Sequence, residues 1–530
     1  MHKFLINNMT VDKKGLLALL LSRMAVNSTH CEFDMSAGAW SRARDVIAGE
    51  DEVKRAGERY LSRLDSQTDD EYGAYRGRTS FFNATARTAD GFVGLIFRRA
   101  PFVRLPDEKQ GVGVALATFR NDVDMLGTSL FGYAKNVVSE IIAVGRAGTL
   151  VDWEGDVENR AYATMYRAES ILNWRVERIN GRNVSTLIVL NEPMEALLES
   201  QDDSDIFASK MVEQIRVLRL VAGENADASK KKPYFCQVEI WRQADKDSRQ
   251  DQHSSGSRQT GKTEWVLVET KIPLRRGKPL PFLPFVFHGP RHSRPAVDKL
   301  PLSDIIAVNL DHYRLDADYK HGIHFTALPT AWVSGFDKTA TLRIGSSTAW
   351  FSETTGATAG FLEFTGQGLT TFERAMDRDE RLMAVLGSRL LEGQKRVGET
   401  AQAIELRQSG ENSILSSIAS SVSESLTQVL RWAYWWNSTE EIPDAITDAQ
   451  ALLELNTDYS VSKMTAPELA ALVKSWQSGA VSQDTILELF RKGEVLPDGR
   501  TNQEEARLIA GDKAALKDAA LKDVNANAAV

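Results

Sequence analysis

The chain has 530 residues and a mass of 58.8 kDa, enough for roughly two to four domains, each with its own core. Apolar residues make up 42% and charged residues 26%, the balance of an ordinary folded protein, and the net charge of −8 argues against a chain whose main task is gripping nucleic acid. Only Cys31 and Cys236 are present, so there is no disulfide framework and a reducing compartment is expected.

In chain order, the apolar run Leu16–Leu21 follows Lys13 and Lys14 much as a secretory signal would. It is only six residues long and has no cleavage-like motif before Arg23, so it reads as an amphipathic helix or an upstream extension. No other stretch approaches membrane-spanning length, and a soluble protein without a membrane partner is expected. Ala43, Val46, Ile47, Val53 and Ala56 fall at helical spacing, giving helices up to about Leu64. Residues 67–99 read as a helix pair anchored by Tyr72, Tyr75, Phe81 and Phe82, and 110–147 continue helical. From about Gly148 strand-length runs take over, at 184–190, 215–221, 233–241 and 264–273. The nearly apolar-free stretch Gln243–Lys262 reads as a long hairpin tip or disordered loop. Prolines from 279 to 301 close this β-rich part.

Residues 303–321 read as a helix with Ser303 as N-cap and Asp304 in its first turn. A Gly- and Thr-rich insert with short strands comes next at 322–366, carrying Trp332, Trp350 and Phe351. Then come two amphipathic helices. In the first, Leu369, Phe372, Met376, Met383, Leu386 and Leu390 recur at three- and four-residue steps, interrupted by Asp379. In the second, Leu415, Ile418, Val422, Leu426, Val429 and Ala433 keep register up to Trp432, Trp435 and Trp436. Between them, Gly393-Gln394-Lys395-Arg396-Val397-Gly398 is too polar and too glycine-flanked to belong to either core. A capping box at Thr465–Glu468 opens a helix stopping near Gly479, and Ser482 opens another ending at Gly493.

Gly256-Ser-Arg-Gln-Thr-Gly261-Lys262-Thr263 matches the P-loop pattern, but that chemistry needs a buried strand before the loop and a helix after it. Here the upstream side is polar and the downstream side, Glu264–Glu269, reads as a strand, so a chance match is the better reading. The pairs His288/His292 and His321/His324 are broken by Pro290 and Gly322, and no metal site is expected. The hairpin 465–493 offers Gln483, Asp484 and Glu488 outward, the wrong sign for phosphate. Neither catalytic motifs nor a cofactor site emerge.

Several long runs resemble the portal proteins of tailed bacteriophages. They are Ala43–Glu50, Ala56–Leu61, Phe81–Phe97, Leu310–Pro329, Phe361–Gly368, Ser409–Ala419, and Met464–Leu469 with Gly479–Thr485. The similarity covers roughly residues 27–510 in order and leaves residues 1–26 outside. It implies an α+β portal fold with a helical stem, a β-rich wing, a small β-containing clip and a helical C-terminal crown. Mapped onto this chain, 1–59 is an N-terminal helical arm, 60–300 the wing, 301–321 and 367–392 the two stem helices, and 322–366 the clip. Residues 393–398 fall where a tunnel loop belongs, 399–459 form a long helix returning to the wing, and 460–530 form the crown with a disordered tip.

The resemblance implies a ring, usually a dodecamer, at one capsid vertex of the virion, assembled in the host cytoplasm. Double-stranded DNA passes through it without sequence reading, and its partners are the terminase large subunit, a head–tail adaptor and the major capsid protein. Gln394, Lys395 and Arg396 then face the bore, and Trp332, Trp350 and Phe351 lie between neighbouring clips. A mildly acidic chain with few cations at the constriction suits passage better than capture. Two other readings stay open: a P-loop ATPase of a packaging motor, and another non-portal head or adaptor protein.

Overall fold

The computed structural model describes residues 26–106, 111–155, 157–197, 209–223, 233–243, 265–327, 330–336, 350–362, 368–389, 414–441, 443–457, 459, 466–492, 495–496, 502 and 505–511. Helix α1 (Cys31–Ala48) starts where the His30 side chain accepts the Glu32 N–H, and Glu32 and Asp34 oppose the dipole in its first turn. It ends at Gly49, whose φ of +109° no β-carbon-bearing residue adopts cheaply. After the short α2 (Glu50–Ala56), a Thr68–Glu71 capping box opens α3 (Asp69–Arg78), and Asn83 caps α4 (Ala84–Ile96). Within α1 and α2, Trp40, Ala43, Val46 and Val53 are all at 0% exposure.

Strand β1 (Phe102–Arg104) and α5 (Val112–Asn121) lead to α6 (Leu130–Val144), capped by Ser129 and closed by left-handed Gly145. This helix buries nine of its residues, among them Tyr133, Val137, Ile141 and Ile142, and so sits inside the fold with neighbours around it. Next come β2 (Ala147–Glu154), β3 (Arg160–Arg167), β4 (Ile171–Ile179), β5 (Arg182–Asn191), β6 (Met194–Leu197) and β7 (Ser209–Val212). They are succeeded by β8 (Gln214–Ala222), β9 (Tyr234–Gln243), β10 (Trp265–Lys271), β11 (Leu274–Arg275), β12 (Lys278–Pro279) and β13 (Phe285–His288). Antiparallel pairing gives one five-stranded sheet, β10-β9-β8-β5-β4, and one three-stranded sheet, β13-β2-β3. The sequence pattern located β5, β8, β9 and β10 but not β2, β3 or β4. Residues 147–151 of β2 are all buried, so the strand lacks the alternation that marks a half-exposed one.

Helix α7 (Ser303–Ala327) starts one residue earlier than a Ser303 cap requires. The Leu302 carbonyl accepts the Ile306 N–H, and Ser303 is already helical, its hydroxyl donating to Asp304. The helix also runs six residues past the expected end at His321. The insert therefore contributes a smaller strand pair, β14 (Thr330–Ser334) with β15 (Thr358–Leu362), before α8 (Leu369–Arg389). Helix α9 (Ile414–Asn437) buries the whole apolar stripe read from the sequence. Strand β16 (Leu452–Glu454) pairs with β1, and the hairpin α10 (Ala466–Gln477) and α11 (Gln483–Lys492) comes last, with Ser482 accepting the Thr485 N–H. The class is α+β.

One main core joins α1, α4, α6, both sheets, the base of α7 and α9. Helix α9 is stitched into it by hydroxyl groups. Ser421 donates to the Gly289 carbonyl at 2.9 Å on one side, while Thr427 both donates to the Leu453 carbonyl and accepts the Leu453 N–H on the other. Ser423 accepts the Leu455 N–H, so the edge of β16 is completed by helix hydroxyls where a strand would otherwise sit. At the helix end, Arg275 lies over the Trp435 ring at 4.1 Å and donates to the carbonyls of Trp435 and Ser438.

Candidate assembly site

The part of the chain that presents unusual surface is the hairpin of α7 and α8 with the β14–β15 pair at its tip. Its base is fixed by polar groups. Asn309, fully buried, accepts from both the Thr85 N–H and the Thr85 hydroxyl, and its amide donates to the Phe82 carbonyl at 2.7 Å. Further along α7, Arg314 donates to the Tyr60 carbonyl, Asp316 accepts the Ser80 N–H at 2.7 Å, and Asp318 accepts the Tyr75 hydroxyl at 2.6 Å. Burial, and then Asp318, holds the Tyr75 phenol well above its usual range, so it stays a donor. Burial with Arg78 nearby pushes His321 down, keeping it neutral beside the rings of Tyr75 and Phe325.

The two helices run antiparallel, and three contacts fix their register. A β-carbon on Gly322 would lie 2.7 Å from Leu369 Cδ2. The Tyr319 hydroxyl donates to Glu373 at 2.6 Å, and His312 faces Glu380 at 3.6 Å. Three and then seven residues back along α7 are matched by four and then seven forward along α8, the near-equal steps that a common helical rise of about 1.5 Å per residue gives an antiparallel pair. Farther along, Gly387 lies against Thr88 of α4. Among the described residues of α8, Met383 and Asp379 are the buried ones. The interruption at Asp379 is therefore part of the buried seam, with Oδ1 accepting from Arg378. The outer face of α8 shows Arg374, Asp377, Arg378, Arg381, Leu382 and Val385 to solvent.

At the tip, Trp332 stands opposite Gly360 across the strand pair, and a β-carbon on Gly360 would come within 3.0 Å of its indole nitrogen. The glycine is what lets the ring lie across the neighbouring strand. Even so, Trp332 is 46%, Phe361 54%, Phe325 49% and Phe351 85% exposed. Trp350 is half-buried. Among the described residues this two-stranded unit thus exposes large apolar groups on both faces, Trp332 on one and Phe361, paired with Ala331, on the other.

The other sequence candidates fall elsewhere. Gln394, Lys395 and Arg396 lie outside the described residues, as do the P-loop match at 256–263 and the stretch 244–264 around it. The strand downstream of the P-loop match, β10, is antiparallel to β9 before it, an arrangement unlike the strand–loop–helix of a phosphate cradle. His288 is a buried core group bonded to Thr149 and Ser425, and His292 faces Asp298 at 3.8 Å. Among the described residues no three His, Cys, Asp or Glu side chains come together as metal ligands, and no helix is long and apolar enough to cross a membrane. A groove of about 710 Å³ runs between α9, β13 and β16, lined by Ser420, Glu424, Gln428, Arg431 and Asp448 among others. Sequence reasoning missed the Ser/Thr stitching of α9, whose signal was the density of serines between 416 and 425.

Residues 301–437, which hold α7, the tip, α8 and α9, match a family model described as a domain of unknown function, DUF4055. No curated protein matches the chain. Among solved structures, the chain is similar to one in the virion of the native gene transfer agent (GTA) particle, with 11% identity, 84% of this chain and 98% of that chain covered, and a TM-score of 0.32. It is also similar to a chain in the neck of the native GTA particle computed with C12 symmetry, with the same identity, coverage and TM-score. A third is in the neck of the empty GTA particle computed with C6 symmetry, with 10% identity, 82% and 96% coverage and a TM-score of 0.33. These TM-scores are too low to transfer a residue role or a function.

Proposed function

We propose that this chain is the portal subunit of a tailed-phage-like particle, a ring-forming structural protein and not an enzyme. The observation that carries the reading is the antiparallel α7–α8 hairpin, pinned at its base by Asn309 and ending in the β14–β15 pair, where Trp332 and Phe361, and Phe351 in the segment before β15, are exposed. An isolated subunit gains nothing from holding such groups in water; neighbouring copies around a ring would cover them. The order of parts along the chain agrees with the sequence resemblance: a mixed helical and β-rich wing, a stem of α7 and α8, and a clip between them.

In this reading residues 393–398 form the tunnel loop, with Gln394, Lys395 and Arg396 facing double-stranded DNA that passes without base contacts. The clip meets the terminase large subunit during packaging and a head–tail adaptor afterwards, and the wing contacts the major capsid protein. The subunit number that fits the resemblance is twelve, at one vertex of the virion.

The test is negative-stain imaging of the purified full chain alongside sedimentation. Rings with a central hole, of about twelve subunits, support the reading. A monomer or dimer at all concentrations, or a compact assembly without a bore, points to another head or adaptor protein. ATP hydrolysis by the purified chain that Lys262→Ala abolishes would instead return the motor reading.

A further inference from the structure

Each helix of the α7–α8 hairpin carries a stripe of residues turned away from the seam that joins the two. On α7 the stripe holds Ala307, Asp311 and Asp318; Ala307 is exposed, the Asp311 side chain is 61% exposed, and Asp318 is half-buried. On α8 it holds Arg374, Arg381 and Val385, all exposed. One stripe is therefore acidic and the other basic. Within the chain Asp311 accepts from Arg314 and Asp318 from the Tyr75 hydroxyl, and each carboxylate has lone pairs for a second donor.

The seam fixes where the stripes stand. His312 faces Glu380, and Tyr319 is bonded to Glu373. One residue back from His312 and one forward from Glu380 sets Asp311 level with Arg381. Five back and five forward sets Ala307 level with Val385, and the same single step from Tyr319 and Glu373 sets Asp318 level with Arg374. Acid thus stands level with base twice, and a small apolar residue with a larger one. Arg314, level with Arg378, is drawn back to the Tyr60 carbonyl and Asp311. Yet one hairpin cannot pair its own stripes. Each residue turns about 100° from the one before, so the α7 stripe lies about 100–140° backward from the seam and the α8 stripe about 100–140° forward. Seen from one end of an antiparallel pair these are turns of the same hand, and because the helices face each other they bring the stripes out on opposite sides of the hairpin.

We infer that copies of this chain join hairpin to hairpin, the acidic α7 stripe of one against the basic α8 stripe of the next, with Asp311 meeting Arg381 of the partner subunit and Asp318 meeting Arg374 of the partner subunit. Two complementary surfaces on opposite sides of one unit make a head-to-tail contact, the kind that rotation closes into a ring. Levels match only when neighbouring hairpins stand side by side without an axial step, so the hairpin runs along the ring axis. The contact rests on the ring reading proposed above and supplies the residues that set its direction.

The test is a charge swap in the full chain, read by sedimentation at low salt. Asp311→Arg and Arg381→Asp should each raise the concentration needed for half-assembly about fivefold, by setting like charges together at every junction. Both sites are exposed, so the melting of the dissociated chains should not change. The double variant should recover most of the loss. So should an equal mixture of the two single variants, because alternating copies restore an opposite pair at each junction, which no contact within one chain can do. Assembly of all variants like the parent overturns the contact while leaving the ring standing. Recovery in the double variant without recovery in the mixture places the pair within one chain and also overturns it. A parent chain that forms no ring at any concentration overturns both this contact and the reading beneath it.

Discussion

His288 and Ser425, far apart in the chain, are joined inside the core by a 2.7 Å hydrogen bond between the imidazole Nδ1 and the serine hydroxyl. The directions are set by the neighbours. Ser425 gives its proton to the Val422 carbonyl, so it accepts from Nδ1–H, and Nε2 then accepts from Thr149, which in turn accepts from Tyr133. One chain of bonds thus runs from α6 through β2 and β13 to α9, with the imidazole neutral in a single tautomer.

Burial holds His288 down to about 3, against an ordinary value near 6.5. A histidine depressed in the folded state contributes stability that is fully present above pH 6.5 and is lost as the pH falls toward 3, because only the unfolded chain takes the proton in that window. The slope it adds is at most about 1.4 kcal/mol per pH unit. Denaturation midpoints between pH 7 and 4 should fall less steeply for His288→Gln than for the parent, and equal slopes would sink this assignment. Ser425→Ala should cost about 1–3 kcal/mol at pH 7 by stranding the Nδ1 proton.

A β-carbon on Gly322 would meet Leu369 Cδ2 at 2.7 Å, so Gly322→Val should push α7 and α8 apart there. A helix-interior glycine in open space would gain stability on acquiring a side chain. Here a loss of about 1–3 kcal/mol is expected from overpacking. Leu369→Ala in the same chain should recover part of it. Thermal melts of the two single variants and the double variant decide the matter, and additive losses would mean that the contact is not what limits the approach.

Phe351, at 85% exposure, contributes little to the subunit's own stability. Phe351→Ser and Trp332→Ala should leave the thermal midpoint of the dissociated chain within a degree or so of the parent while lowering the ring fraction in sedimentation. Trp350, which is half-buried, should lower both when changed to Ala. Unchanged ring formation across all three variants would remove the tip from the subunit interface.

Lys395→Ala combined with Arg396→Ala tests the tunnel-loop proposal. Ring formation and melting should be unaffected, while particles built with the double variant should retain less DNA. Weak phosphate contacts repeated around a ring add up even when each is small. Normal DNA content and infectivity would retire the cationic collar without touching the ring.

The sequence alone determined the elements whose packing is periodic. The stripe from Leu415 to Ala433 needed only a period of 3.6 to be read as a buried helix face, and so it is. Residues Val184–Leu190 and Ile215–Val221 likewise announced strands by composition. Periodicity failed where burial is two-sided, as in β2, and at ends set by distant partners, as at Ala327, where α7 outruns its own pattern. Tertiary structure alone decided which polar residues matter. Asn309 is one asparagine among many until Thr85 and the Phe82 carbonyl are brought to it, and the serines of α9 look like poor helix formers until Gly289, Leu453 and Leu455 arrive. A hydrophobic side chain needs only a side to face, which spacing encodes. A buried hydroxyl or amide needs a particular partner at about 3 Å, and the chain path that supplies it is a property of the whole fold.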